Sequence, residues 1–471
     1  MTWSGPYRPL FFLADIFPFK IQLHKTISFI GSKINFDRYA APGTVIFTMT
    51  QYVSMIRAAL ILHLFIIFAH SIFSFANAAA VQEHDFSAAK RTLDDYIAKG
   101  KLAGGVILVT KDGKTVLHYA AGMQDRETGV EMKEDSLFRI ASQTKALTSI
   151  AIMILHERGL IEFDDPVSKY IPSFTKTKVL TEKADGSYES VPAKREITLH
   201  DLLTHSAGIG YGWGPDKSEW AEAGLSGWYF ADRNQTIQEA LAPITTLPFP
   251  KQPGEAFVYG YNTDILGAIV EIVSGKSLQE FFATEITGLL NMTDTFFYVP
   301  KNKASRLAAV YGATETTIMR APLPANAANF RESQGHYITG PRKAFSGGAG
   351  LVSTASDYGK LLNMLLGKGT LKGVTILTPE SVATMTRNQI PYIDTKSYDG
   401  FGYGFRLTTS KDTDTKGQVV EFGWGGAYHS FYYVRPLDGV VVVYLTQLIP
   451  ANNLNDWDEI NAALREALHY E

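Results

Sequence analysis

Hydrophobic and polar positions alternate with two different periods along the chain, and the strand-like stretches lie near its two ends. The first amphipathic stretch has apolar residues every three to four positions and ends at Gly100, which predicts a helix. Two β-branched runs, 105–110 and 115–120, follow across an Asp-Gly pair and predict a hairpin. A second hairpin, 430–434 with 440–445, precedes a final helix that has one apolar face.

The middle of the chain, about 160–344, carries more helix and loop signals than strand signals. Strands at both ends with helices between them predict an α/β (α+β) fold. In this fold an antiparallel sheet is built from both termini, flanked by helices, and interrupted by an inserted, mainly helical region. We expect a cleft where the two parts meet. An aromatic segment, 211–230, is a candidate wall of this cleft, with packing in the core as the alternative.

The N-terminal part of the sequence is set aside from the fold prediction. An apolar run, 58–75, follows a basic residue and precedes Ala-Asn-Ala, which are the parts of a secretory signal peptide. We expect residues 1–48, which precede Met49, to be an over-extended reading frame. Residues 49–78 would be a signal peptide or an uncleaved membrane anchor, and 84–471 the folded domain. The protein would then be exported, either periplasmic or secreted.

Composition excludes several classes of function. The chain has 45% hydrophobic and 19% charged residues and a net charge of −3, without the basic excess that nucleic-acid binding requires. The absence of Cys excludes disulfides, thiolate metal sites and cysteine nucleophiles. On a helix His200 and His205 would stand about 140° apart, so with Asp201 we interpret them as structural residues and expect no metal.

A covalent mechanism without Cys needs Ser, Thr, Lys or a carboxylate. The elbow pattern G-x-S-x-G is absent, whereas Ser-x-x-Lys occurs at Ser87, Ser142 and Ser173. Only Ser142 opens a helix with a broad apolar face, and positions i and i+3 are neighbours on a helix, so Lys145 can reach its hydroxyl. Burial in this setting favours the neutral amine, which can act as a base. The helix N-terminus favours a developing alkoxide.

Five segments of the chain resemble the class C β-lactamase-like serine hydrolases, the family of penicillin-recognising enzymes and related esterases. They run in the family's order from the Ser142 region onward, at 137–172, 197–209, 253–278, 347–365 and 423–430. The resemblance implies that Ser142 is the nucleophile, with Lys145 beside it, and that the protein needs no cofactor.

The second motif of the family is Tyr-x-Asn, in which the Tyr is taken as general base or proton shuttle. This chain departs from it, with Tyr259, Gly260, Tyr261 and Asn262 in sequence. Counting back from Asp264, the pattern of the esterase-like branch implies Tyr259 as the catalytic Tyr, with Tyr261 as the alternative. The Asn position is then filled by Tyr261, which weakens the case for a lactam substrate.

The third motif, usually Lys-Thr-Gly or His-x-Gly, is filled by Trp424, Gly425 and Gly426, as in the esterase-like branch. Two glycines let a strand approach a substrate closely. By resemblance the oxyanion hole consists of the backbone N–H groups of Ser142 and Ala427. The missing Lys or His removes a cation for a substrate carboxylate, which favours esters over penicillins.

Together these observations predict a serine hydrolase that forms an acyl-enzyme at Ser142 and hydrolyses small carboxylic esters. The nearest alternative is a β-lactamase or D-alanyl-D-alanine carboxypeptidase that uses the same residues. A different alternative is a non-catalytic relative that binds peptidoglycan or a protein partner. The expected partner is a small-molecule ester or lactam, with possible membrane anchoring through 58–75. The sequence does not determine the oligomeric state.

Overall fold

The chain divides into two compact units, 1–83 and 84–471. A computed structural model describes residues 53, 54, 56, 84–326 and 330–470. The expected over-extended segment, 1–48, and nearly all of the expected signal peptide or anchor, 49–78, therefore lie outside the described residues. Among the residues that are described, no helix combines the length and the apolar character that crossing a bilayer requires.

The second unit contains α-helices and β-strands along its whole length. Its described helices are α1 (Ser87–Ala98), α2 (Thr144–Glu157), α3 (Leu199–Leu203), α4 (Lys217–Glu222), α5 (Ile237–Leu241), α6 (Asn262–Ser274), α7 (Leu278–Phe282), α8 (Ala355–Leu366), α9 (Pro379–Met385) and α10 (Asp456–Leu468). Its described strands are β1 (Gly104–Lys111), β2 (Lys114–Asp125), β3 (Val130–Glu131), β4 (Phe138–Arg139), β5 (Lys178–Glu182), β6 (Tyr188–Pro192), β7 (Pro248–Phe249), β8 (Tyr311–Ala313), β9 (Ile318–Arg320), β10 (Val352–Ser353), β11 (Thr370–Leu371), β12 (Val374–Thr375), β13 (Gly400–Phe401), β14 (Arg406–Thr409), β15 (Val419–Gly426), β16 (Ser430–Arg435) and β17 (Val440–Leu445).

An eight-stranded antiparallel sheet forms the centre of this unit, in the order β13-β14-β15-β16-β17-β1-β2-β3. The two predicted hairpins are β1–β2 and β16–β17, and they join side by side through the pairing of β1 with β17. In that pairing Val106 lies opposite Leu445 and Lys111 lies opposite Val440. The predicted sheet built from both ends of the chain is confirmed.

Each face of the sheet is covered by helices, because successive side chains of a strand point to opposite faces. On β1, Val106 and Leu108 belong to the larger apolar core, which also contains buried residues of α2, α6 and α8. Ile107 and Val109 belong to a second core, which contains buried residues of α1 and α10. The larger core continues into the inserted region and positions α2, which follows Ser142.

The inserted region, about 160–344, contains α3 to α7 as predicted, and it also contains strands. Strands β5, β6 and β7 form a small sheet of their own, and β8 pairs with β9. No residue of β6 is buried. The sequence of β6 contains no strand signal, because a strand without a buried face has no alternation of apolar and polar positions.

Candidate active site

Ser142 lies in a 3-10 turn, Ala141–Gln143, that leads directly into α2. The residue before it, Ala141, has φ of +42°, in the left-handed region that a residue with a Cβ rarely adopts. Backbone strain of this kind costs about 1–2 kcal/mol and persists only where the surrounding structure holds it. Ser142 is partly exposed, whereas the residues on either side of it are buried.

The surrounding structure holds this turn through hydrogen bonds to the segment of β10 and α8. The Ile140 N–H donates to the Leu351 carbonyl at 3.0 Å, and the Leu351 N–H donates to Thr144 Oγ1 at 3.1 Å. The Tyr358 hydroxyl, fully buried, donates to the carbonyl of Gln143 at 2.8 Å. Ser142 therefore projects from a fixed backbone.

Lys145 lies one turn into α2 and is only 2% exposed. Its Nζ donates to the Tyr211 hydroxyl at 3.1 Å and to the Gly348 carbonyl at 2.8 Å, and it lies 4.6 Å from the centre of the Tyr259 ring. Burial, with Tyr259 nearby, raises the pKa of Tyr211 well above 10, so Tyr211 is a neutral phenol at physiological pH.

The other two Ser-x-x-Lys sequences lie in different surroundings. Ser87 and Lys90 are half-buried in the first turn of α1, and Ser173 and Lys176 are exposed. Only at Ser142 does the structure combine a cleft-facing serine with a buried lysine.

The two tyrosines of the second motif have different positions. Tyr259 faces the cleft beside Ser142, and its hydroxyl oxygen accepts a hydrogen bond from Trp424 Nε1 at 3.1 Å. Tyr261 is fully buried, stacks on Trp220 and donates its hydroxyl to the Gly227 carbonyl at 2.6 Å. Of the two, only Tyr259 is placed to meet a substrate.

The third motif ends β15, next to the nucleophile turn. Gly426 pairs with Ser430 on β16. A Cβ added at Gly426 would lie 2.5 Å from the carbonyl oxygen of Ile140 and 2.5 Å from Ser430 Oγ. Glycine at this position allows β15 to approach the backbone just before Ser142. Ala427 follows directly and faces the cleft.

Most of the predicted site residues meet in one open cavity of about 1080 Å³, a volume that includes space open to solvent. It is lined by Ser142, Tyr211, Trp213, Trp228, Tyr259, Tyr398, Arg406, Trp424, Gly425, Ala427, Phe431, Trp457 and Asp458. Lys145 and Gly426 are absent from this wall and lie directly behind it, against Tyr211 and against the nucleophile turn.

The aromatic segment 211–230 divides between the two roles considered for it. Tyr211, Trp213 and Trp228 line the cavity, whereas Trp220 and Phe230 are buried in the larger core. The aromatic pattern therefore predicted part of the cleft wall but not the contact of Tyr211 with Lys145. The two residues are 66 positions apart, and no local pattern connects them.

The third motif supplies no cation to the cleft, but the neighbouring strand does. Arg406 on β14, the strand next to β15, lines the cavity. Its Nη2 lies 3.5 Å from Glu421, a buried carboxylate that also pairs with Arg465 at 2.7 Å and with Arg435 at 3.8 Å. Arg435 also pairs with Asp438 at 2.6 Å, so three guanidinium groups share two carboxylates in this network, and Asp458 lines the same cavity as Arg406.

The histidines that were considered as metal ligands have other partners. His200 Nδ1 lies 3.0 Å from the Tyr403 hydroxyl, and Asp201 pairs with Arg195 at 2.6 Å. Burial, followed by the charge of nearby Lys145, lowers the pKa of His205 well below 6.5, so its ring is neutral. Among the described residues, no group of three His, Cys, Asp or Glu side chains is arranged to hold a metal ion.

Comparisons with known proteins identify the family of the chain. The family model described as Beta-lactamase matches residues 89–465. Protein Rv1367c of Mycobacterium tuberculosis is 31% identical over 367 residues, which cover 74% of this chain and 87% of that protein. Esterase EstB of Burkholderia gladioli is 30% identical over 375 residues, which cover 75% of this chain and 88% of the esterase.

A solved structure shares the fold over the same part of the chain. EstCE1, described as a hydrolase with promiscuous acyltransferase activity, superimposes with a TM-score of 0.66 and 25% identity, covering 80% of this chain and 97% of that one. With a family match over most of its length and an esterase among its relatives, the chain belongs to the beta-lactamase family, in the esterase-like branch of the penicillin-recognising serine hydrolases.

Proposed function

We propose that the protein hydrolyses carboxylic esters through an acyl-enzyme formed at Ser142. The observation that carries the proposal is the cleft itself, in which Ser142, Tyr259 and Ala427 face one cavity. Lys145 lies buried at its edge, in hydrogen-bond contact with a further cleft residue, Tyr211. A serine, a buried amine and a phenol at one surface are the groups that acyl transfer without a histidine requires.

In the proposed reaction the Ser142 oxygen attacks the ester carbonyl carbon, and its proton passes to the Lys145–Tyr259 pair. The tetrahedral intermediate collapses, the carbon–oxygen bond to the alcohol breaks, and the alcohol leaves with that proton. Water activated by the same pair then attacks the acyl-enzyme, releases the carboxylic acid and returns the proton to Ser142. Atoms and charges balance over the cycle, so no cofactor is consumed.

The negative charge that develops on the carbonyl oxygen would be stabilised by the backbone N–H groups of Ser142 and Ala427. This is supported by the position of β15, which packs directly against the nucleophile turn because residue 426 is glycine. Donors that are already oriented in the folded protein stabilise an oxyanion without reorganisation, and one such donor contributes about 3–4 kcal/mol.

The lining of the cleft favours an ester that has an apolar or aromatic portion. Most of its side chains are aromatic, and Trp424 donates its indole N–H to Tyr259, which leaves no donor there for a lactam carboxylate. A second candidate function, hydrolysis of a β-lactam or of a D-alanyl-D-alanine peptide, is favoured by one observation. Arg406 supplies the cleft with a cation that could bind a substrate carboxylate.

Steady-state kinetics on p-nitrophenyl esters, nitrocefin and a D-alanyl-D-alanine peptide separate these functions. We expect turnover of the esters to exceed that of the other two, and Ser142→Ala to abolish it. Ser173→Ala is the matched control, because Ser173 also begins a Ser-x-x-Lys sequence and is exposed. Faster turnover of nitrocefin or of the peptide would favour the second candidate. No turnover of any substrate would favour a binding protein.

Export is part of the same proposal and rests on the apolar run 58–75 and the Ala-Asn-Ala that follows it. Intact-mass measurement of the native protein tests it. Cleavage after Ala78 predicts a mature chain that begins at Ala79, and a mature chain that retains residues before Met49 would contradict the proposal.

A further inference from the structure

Asp264 is a buried carboxylate near the reactive lysine that the mechanism above does not use. We propose that Asp264 is a positioning residue. It holds the turn 346–349 so that the Gly348 carbonyl orients Lys145, and it provides a carboxylate on the far side of the Gly348 peptide from that amine. The inference rests on the proposed function, because it assumes that Lys145 acts on Ser142.

The turn is held by Asp264 on one side. Asp264 lies in the first turn of α6 and is fully buried. Its Oδ1 accepts hydrogen bonds from Ser346 Oγ at 2.5 Å and from the Gly348 N–H at 3.0 Å. Ser346 Oγ in turn accepts from the Ala349 N–H at 3.0 Å. The carboxylate therefore fixes both ends of the turn.

On the other side the same turn presents two consecutive carbonyls to α2. Gly348 accepts from Lys145 Nζ at 2.8 Å, and Gly347 accepts from Thr148 Oγ1 at 2.7 Å. Lys145 and Thr148 are three residues apart and face the same side of the helix. Gly348 thus connects the two residues: its N–H donates to Asp264, and its carbonyl accepts from Lys145.

Close packing places this turn directly against α6. A Cβ added at Gly348 would lie 2.3 Å from Asp264 Oδ2, and one added at Gly347 would lie 2.6 Å from the Thr263 carbonyl. Two glycines are needed for the turn to lie directly against α6. A rigid turn transmits the position of Asp264 to the Lys145 amine, because it cannot take up a displacement by bending.

The charges around Lys145 make Asp264 distinctive. The groups that face the amine are the phenols of Tyr211 and Tyr259, the ring of His205, and Asp264 beyond the Gly348 peptide. The two hydrogen bonds of the Lys145 amine go to neutral acceptors, the Tyr211 hydroxyl and the Gly348 carbonyl. Burial keeps His205 neutral. Asp264 is the acidic group of this set. Burial raises its pKa, and the nearby charge of Lys145 opposes that rise together with the hydrogen bonds from Ser346 and Gly348.

Asp264→Asn tests the inference, because Asn keeps an acceptor oxygen for Ser346 and Gly348 and removes only the charge. We expect kcat for a p-nitrophenyl ester to fall at least about tenfold while KM changes by less than about twofold. Removing a negative charge from the site favours the loss of a proton there, so the ascending limb of the pH profile of kcat/KM should move to lower pH.

Thr148→Val is the matched control. It conserves volume and removes the neighbouring hydrogen bond to the same turn, but it changes no charge. We expect its pH profile to overlay that of the wild type. An unchanged kcat and pH profile in Asp264→Asn would overturn the inference, and so would an equal loss and an equal shift in Thr148→Val.

Two further measurements keep the test decisive. If Asp264→Asn does not fold, Ser346→Ala replaces it, because it removes one of the two hydrogen bonds to the carboxylate. A lower kcat at constant KM supports the inference, and an unchanged kcat overturns it.

Ser142→Ala separates the two proposals. If Ser142→Ala remains active, the proposed function itself fails. If Ser142→Ala is inactive and the Asp264 and Ser346 variants match the wild type, only the positioning inference fails.

Discussion

The hydrogen bond between Trp424 and Tyr259 offers a sharp test of how the third motif acts in this chain. The indole N–H donates to the phenol oxygen at 3.1 Å, and the two rings pack 5.4 Å apart. A donor to that oxygen stabilises the phenolate form, which is the form able to accept a proton from Ser142. Trp424→Phe removes the donor and keeps an aromatic ring in the cleft wall.

The size of the effect follows from the charge that forms on the phenol oxygen. A hydrogen bond to a charged group contributes about 1.5–3 kcal/mol, which corresponds to about a 10- to 100-fold loss of kcat. KM should change little, because the hydrogen bond gains strength only when Tyr259 takes up charge in the transition state. The ascending limb of the pH profile should move to higher pH, since a donor that stabilises negative charge in the cleft is lost.

The assay is steady-state hydrolysis of a p-nitrophenyl ester between pH 5 and 10, with thermal unfolding measured in parallel. Trp213→Phe is the matched control, because Trp213 lines the same cavity, is 59% exposed and does not bond to Tyr259. We expect its kcat to stay within about twofold of the wild type. If Trp424→Phe and Trp213→Phe lowered kcat equally, or if the pH profile of Trp424→Phe did not move, the assignment of Tyr259 as proton acceptor would be refuted.

Three further predictions concern packing and charge. Gly426→Ala should lower kcat by at least about 100-fold and cost about 1–3 kcal/mol of stability, because its Cβ would meet a backbone carbonyl of the nucleophile turn at 2.5 Å. Gly425→Ala, with contacts no closer than 3.2 Å, should be milder, and equal effects in kinetics and denaturant unfolding would contradict this account. Burial lowers the pKa of His205 well below 6.5, so the unfolded chain binds a proton that the folded chain does not, and stability should fall by up to about 1.4 kcal/mol per pH unit below pH 6.5. His205→Gln should flatten that slope in urea unfolding at pH 5.5, 6.5 and 7.5, and an unchanged slope would show that other groups cause it. Arg158 lowers the pKa of Glu285 from 4.5 to about 2, so this ion pair stabilises the fold above pH 4.5 and is lost as the pH falls towards 2. Solvent screening limits its contribution to about 1 kcal/mol, and the difference in unfolding free energy between the wild type and Glu285→Gln should disappear at pH 2.

The sheet could be predicted from the sequence because its strands have buried positions at period two and its turns have Asp and Gly. The inserted strands could not, since β6 has no buried face to produce a period. Hydrophobic periodicity reports burial, and a surface strand is determined by backbone pairing alone. Local pattern therefore predicts the elements that face the core better than those that face solvent.

The same distinction separates the predicted site residues from the missed ones. Ser142 and Lys145 are three residues apart, so their spacing alone identifies them as a candidate pair. Tyr211, Arg406 and Asp264 act on the site across long sequence distances, through contacts that only the folded chain creates. The third motif carries no cation, and Arg406 reaches the cleft from β14, a strand that no local pattern connects to this motif.

The central claim, a covalent acyl-enzyme at Ser142, is tested most directly by labelling with a fluorophosphonate probe followed by peptide mapping. The serine oxygen displaces fluoride from phosphorus, so the adduct identifies the nucleophile independently of the substrate. We expect a single adduct on the peptide that contains Ser142, its loss in Ser142→Ala, and its persistence in Ser173→Ala. An unlabelled wild-type protein, or an adduct on another residue, would contradict the account.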